Sequence, residues 1–178
     1  MNGDPAWSGP RPWWRAWAIV LPTRWVVGLA TLGPVGLQKH APGTWGSAAG
    51  LLAYLVIFYP QGPWLQAIWA VLLAGLAIGI CDEAERRMMQ RDPGHIVLDE
   101  AVAIPFIFLG LGGVIAGAGG WAWLWFLAGF GLFRFFDIAK PFAIDRLQRL
   151  PGGLGVVVDD LAAALAANIV LRVAWTLV

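Results

Sequence analysis

Two long stretches of this chain carry no Asp, Glu, Lys or Arg, and they constrain the fold more tightly than any motif. The first runs between Lys39 and Asp82, the second between Glu100 and Arg134, and after Asp160 only Arg172 is charged. Each of the first two exceeds one membrane span of about 20 residues. Of the 178 residues, 59% are hydrophobic and only 13% charged, the latter roughly half the usual soluble share. A water-soluble chain this small cannot hide so much apolar surface. The sequence therefore predicts an all-α, polytopic helical membrane protein, with a greasy soluble helical domain as the alternative.

The remaining composition excludes several classes. A net charge of +1 creates no field for nucleic acid, and no basic cluster is interleaved with stacking aromatics. The lone Cys81 rules out an intrachain disulfide framework and reads as a small hydrophobe. The opening "MNGDPAWSGPRPWW" lacks the charged, apolar and small-residue sequence of a signal peptide, so none is expected.

Turn residues divide the apolar stretches. "YPQGPW" at 59–64 separates helices expected near 46–59 and 64–81, and "GAGGW" at 117–121 separates helices near 101–117 and 121–136. A last helix is expected over about 156–178. These make about five spans, several of them short. Trp64, Trp121 and Trp175 fall near the proposed ends, where interfacial Trp is favoured. Residues 13–37 are Trp-rich but contain Pro22 and Arg24, which suits an interfacial helix or a broken, partly inserted one; the interfacial reading is preferred. Residues 1–40 then form an N-terminal cytoplasmic or interfacial segment and residues 41–178 the membrane domain.

Five spans put the N-terminal segment and the loops 82–100 and 137–155 on one side. All twelve Lys and Arg except Arg134 and Arg172 lie there, whereas the two opposite loops carry no charge. The positive-inside rule assigns that side to the cytoplasm.

Ten of the eleven acids gather in or beside the same two loops. Asp82, Glu83 and Glu85 are expected after the second span, with Glu85, Arg86 and Arg87 solvated. Asp99 and Glu100 precede the third span, Asp137 follows the fourth, and Asp159 and Asp160 open the fifth. Clustered carboxylates resist ionising, and a divalent cation reverses that cost. An all-oxygen set favours Mg²⁺ or Mn²⁺. For Asp159 and Asp160 the competing reading is a helix N-terminal cap. Gly152 and Gly153 could let backbone amides approach a phosphate or simply make a turn. Thr44 and Ser47 could bind a polar ligand group or cap the first span. Arg134, Asp137 and Lys140 follow spacings of three, suiting either an interfacial ion pair or a metal-and-phosphate site. His95, in the turn "DPGH", could transfer protons near pH 7 or be a plain loop residue.

In combination, "PGTWGS" at 42–47, "DPGHIVLDE" at 92–100, "FRFFDIAKPFAIDRL" at 133–147 and "GGLGVVVDD" at 152–160 make the chain resemble the phosphatidylglycerophosphatase A family of bacterial membrane enzymes. The resemblance covers most of residues 29–170. It implies Mg²⁺-dependent hydrolysis of phosphatidylglycerophosphate to phosphatidylglycerol and inorganic phosphate at the cytoplasmic face of the bacterial inner membrane. It implies metal-binding or catalytic roles for Asp99, Glu100, Asp137, Asp159 and Asp160, with His95 inside the shared motif. Arg134 or Lys140 would stabilise the transferring oxygens. The expected partners are this lipid and the membrane, with neither nucleic acid nor an obligate protein partner. Water attack promoted by metal is the preferred route, an Asp nucleophile the alternative; one or two metal ions, and the general base, stay open. The competing functions are another lipid phosphatase or phosphotransferase, a transporter, and a structural membrane subunit.

Overall fold

The computed structural model describes residues 13–59, 61–141 and 144–177. The described residues are helical, without strands. A short helix α1 (Trp13–Ala16) and a 3₁₀ turn lead to α2 (Thr23–Ala30), then α3 (Pro42–Ala53), α4 (Pro63–Met88), α5 (Leu98–Ile107), α6 (Gly112–Gly117), α7 (Ala122–Ala139) and α8 (Gly153–Thr176). The Pro-rich residues 1–12, part of the expected N-terminal segment, lie outside the described residues.

Three helices are long and apolar enough to cross a membrane: Pro63–Met88, Gly119–Ala139 and Gly153–Thr176. They match the second, fourth and fifth expected spans. The first is a 17-residue apolar helix, Pro42–Phe58, whose last turn, Tyr54–Phe58, is π-helical. The third is broken. α5 contains Pro105 and stops at Ile107, and Gly110 takes φ +74° before α6 begins. The carbonyls freed at this break are satisfied by α8. Asn168 Nδ2 donates to the carbonyls of Ile107 (2.8 Å) and Leu109 (3.2 Å), and Arg172 Nη2 donates to Leu109 (2.7 Å). In an apolar setting such groups must find protein partners.

The segment 13–30 is not one continuous helix. It breaks at Leu21–Pro22, and Ala18, Val26 and Ala30 pack into a core with Ala74, Ala77 and Ile80 of α4. α4 itself does not end with its apolar run. It continues through the charged residues to Met88, supported by i,i+4 pairs Asp82–Arg86 (3.5 Å) and Glu83–Arg87 (2.7 Å). Asp82, Glu83 and Glu85 are therefore inside the helix rather than after it. Glu85, expected to be solvated, is fully buried.

Glycine sets the spacing of α3 and α5. A Cβ on Gly46 would strike Val97, and one on Gly50 would strike Ala101 and Ile104. Such small-residue stripes let helices approach closely inside a membrane. α3, α5 and α8 start, and α4 and α7 finish, at the same end of the bundle, which gathers the acids there. Gly50→Leu should force α3 off α5 and cost about 1–3 kcal/mol. Gly75→Ala, where a Cβ meets nothing within 4 Å, should be neutral or better. Thermal unfolding in detergent distinguishes the two.

Candidate active site

The gathered helix ends enclose a cavity of about 300 Å³. Asp99 and Glu100 come from the first turn of α5, Arg134 and Asp137 from the last turns of α7, and Asp159 and Asp160 from the second turn of α8. Ala41, Asp92 and Lys140 also line the cavity, and each has positive-φ backbone, with φ of 48°, 46° and 43°. Non-glycine residues in this region are strained, and such strain concentrates at functional sites.

Cations hold the acids in place. Arg134 Nη1 lies 3.0 Å from Glu100 Oε1 and 2.7 Å from Asp137 Oδ2. It also donates to Ser47 Oγ at 3.3 Å, while the Ser47 hydroxyl donates to the Gly43 carbonyl. Lys140 pairs with Asp159. A Cβ on Gly43 would collide with the Glu100 carboxylate, so glycine is what admits Glu100 to the cavity. Burial pushes the Glu100 carboxyl up to about 7 against the opposing Arg134 guanidinium. Burial, and then the Glu100 charge, drive Asp99 well above the carboxylate range. Burial would lower the Lys140 ammonium, but the hydrogen bond and charge of Asp159 prevail and raise it.

Asp159 and Asp160 are 3% and 4% exposed. They do not cap α8, whose N-cap is Gly152. Asp99 Oδ1, Glu100 Oε2 and Asp160 Oδ2 are buried with no hydrogen-bond partner. Oxygens left this way suit a hard divalent cation. Among the described residues, no three His, Cys, Asp or Glu groups are already closed onto one point. The carboxylates instead stand around the cavity, each drawn toward a protein cation or left bare.

Several expected residues are placed elsewhere. His95 is exposed and does not line the cavity, nor does Thr44. Ser47 reaches the site only through Arg134. Gly152 has φ 58° and ψ −151°, a region essentially restricted to glycine. A Cβ on Gly153 would collide with α4 at Ile78 and Asp82. The Gly153 N–H donates to Asp82 Oδ1 at 3.2 Å, so Gly153 joins α8 to α4 and its amide is taken up there; neither glycine lines the cavity.

Three residues to which the sequence reading gave no site role support the wall. Glu85 Oε1 accepts the Asp92 N–H at 2.6 Å, and Gln148 Nε2 donates to Asp92 Oδ2 at 3.1 Å. Both Asp92 and Gln148 line the cavity. The "DPG" turn was the available signal for Asp92; nothing in the sequence flags Gln148.

The fold and site define a multi-pass α-helical membrane protein with a buried carboxylate-and-cation cavity at one end of its bundle. The chain belongs to the phosphatidylglycerophosphatase A family, whose sequence model matches residues 28–175. It is 39% identical over 137 residues to phosphatidylglycerophosphatase A of Haemophilus influenzae, covering 76% of this chain and 80% of that one. It is 35% identical over 132 residues to the Escherichia coli K12 protein of the same name, covering 72% and 70%. A Bacteroides thetaiotaomicron protein provisionally named a phosphatidylinositol-3-phosphatase is 29% identical over 147 residues, covering 80% and 89%. No solved structure matches the chain.

Lys140→Met would strand the buried Asp159 charge and should cost about 3 kcal/mol. Adding Asp159→Asn should recover most of that loss. Denaturant unfolding of the single and double variants measures this; a double variant as unstable as the single would mean the ion pair is not the cause.

Proposed function

We propose that the chain hydrolyses the terminal phosphomonoester of phosphatidylglycerophosphate, yielding phosphatidylglycerol and inorganic phosphate with Mg²⁺ as cofactor. The observation carrying this reading is a cavity where partnerless buried carboxylate oxygens and two cations converge at one end of a membrane bundle. The same name belongs to the relatives at 39% and 35% identity.

Asp99, Glu100 and Asp160 would hold Mg²⁺ through their partnerless oxygens. When bound, the ion supplies the charge that offsets clustered carboxylates and polarises a phosphoryl oxygen. Arg134 and Lys140, now paired with Glu100, Asp137 and Asp159, can turn toward the phosphate and stabilise its charge as the P–O ester bond lengthens. Water attacks phosphorus as the P–O ester bond breaks, a carboxylate of the cavity takes the water's proton, and the departing glycerol oxygen takes a proton from a protonated carboxyl of the cavity or from solvent. Ser47 and Gly43 keep Arg134 and Glu100 in register.

The lipid's acyl chains stay in the bilayer while the head group enters at the bundle end. That end carries Arg86, Arg87, Arg91, Arg146 and Arg149 besides the cavity cations, so the positive-inside rule supports a cytoplasmic active site in the bacterial inner membrane. The name of the Bacteroides relative supports a second reading, a phosphorylated inositol head group, which a substrate panel separates from the first.

Purified protein should release phosphate from phosphatidylglycerophosphate with Mg²⁺ and stop on chelation. It should prefer that lipid to phosphatidylinositol 3-phosphate. Asp160→Asn should lower the rate by at least about a hundredfold while the protein stays folded. Release undiminished by chelator would sink the metal assignment.

A further inference from the structure

A second cavity lies at the opposite end of the bundle. It is about 320 Å³ and is lined by Tyr59, Gln61, Gln66, Gly110, Gly112 and Gly113 among others. Along α4, Gln66 and Asp82 are separated by roughly 24 Å of helix, so the two cavities are independent. Gln66 is only 2% exposed. Its Nε2 donates to the carbonyls of Phe58 (3.0 Å) and Gln61 (2.9 Å), which fixes the amide's orientation. Its Oε1 is then left buried and without a donor. Gln61 repeats the pattern: Nε2 donates to the Ile57 carbonyl at 2.7 Å, and Oε1 is left bare. A buried acceptor without a partner costs about 1–3 kcal/mol, so two in one cavity imply a ligand rich in N–H or O–H donors.

A cation stands beside the same cavity. A Cβ on Gly110 would come within 2.7 Å of Arg172 Nη2. Arg172 donates to Asn168 Oδ1 and to the Leu109 carbonyl, and among the described residues no carboxylate pairs with it. The arrangement calls for a ligand with donors at one end and an anion at the other. The level of the cavity selects the source. Trp64 and Trp121 are 84% and 68% exposed at this end, and Trp125 stacks edge-on with Trp175. Exposed indoles of this kind sit at the head-group level of a bilayer.

We propose that this cavity binds the head group of a zwitterionic phospholipid from the leaflet opposite the active site. The lipid's primary ammonium meets the Gln61 and Gln66 carbonyl oxygens, and its phosphate meets Arg172. Phosphatidylethanolamine has the required N–H donors; phosphatidylcholine, fully methylated at nitrogen, has none. The glycine lining leaves the space open, since a Cβ at Gly112 or Gly113 meets nothing within 4 Å. A larger side chain at Gly113, in the cavity wall, therefore has room to narrow the cavity without moving backbone.

The full chain, reconstituted in nanodiscs with equal phosphatidylethanolamine and phosphatidylcholine and then stripped in mild detergent, would be analysed for retained lipid by mass spectrometry. Retention should favour phosphatidylethanolamine by about tenfold, the ratio expected from one or two hydrogen bonds to buried acceptors. Gly113→Phe should abolish the preference while leaving phosphate release and thermal stability unchanged. Gln66→Met should abolish it too, and if that variant fails to fold, Gly113→Phe decides alone. Equal retention of the two lipids, retention of neither, or a preference that survives Gly113→Phe would overturn the proposal.

Discussion

Charge compensation at one end of the bundle is the constraint on which the rest depends. Five carboxylates from three helices surround one small cavity, and buried charges gathered this closely are costly unless opposite charges meet them. Arg134 and Lys140 make the arrangement tenable, the first bridging Glu100 to Asp137 and the second meeting Asp159. These two cations therefore lock α5, α7 and α8 together at that end. They also leave one oxygen each of Asp99, Glu100 and Asp160 without a partner. The same network that stabilises the fold thus keeps bare carboxylate oxygens facing the cavity.

The backbone is adapted to this purpose. α3 must approach α5 closely for Glu100 to enter the cavity beside Gly43, and a glycine stripe permits it. α5 must start at the cavity but cannot continue straight across the bundle. Its break after Ile107 frees carbonyls, and side chains from α8, Asn168 and Arg172, satisfy them. α8 therefore acts at both ends, presenting Asp159 and Asp160 to the site and clamping the helix that carries Asp99 and Glu100.

Much of this was legible in the sequence. The gaps between charges revealed an all-helical membrane protein, and the placement of acids at apolar-run boundaries pointed to the end of the bundle that holds the candidate site. Asp99, Glu100, Arg134, Asp137, Lys140, Asp159 and Asp160 all reach one cavity. Helix limits were less legible, because i,i+4 ion pairs carry α4 through residues that look like a solvated loop. Gly152 and Gly153 resemble a phosphate-binding turn in sequence, yet a close helix contact demands the same residue type. His95 and Thr44 sit within a few residues of cavity groups but face elsewhere.

By itself the sequence determined the solvent the chain lives in, the approximate number and order of apolar helices, and the end at which charge collects. These follow from composition and spacing, which act locally along the chain. Only the tertiary structure decided which acids would be paired, which would be bare, and that Glu85 and Asp82 would turn inward to hold the Asp92 turn and the start of α8. Those outcomes depend on how closely helices distant in sequence can approach, and that distance is set by glycines whose partners no linear pattern names.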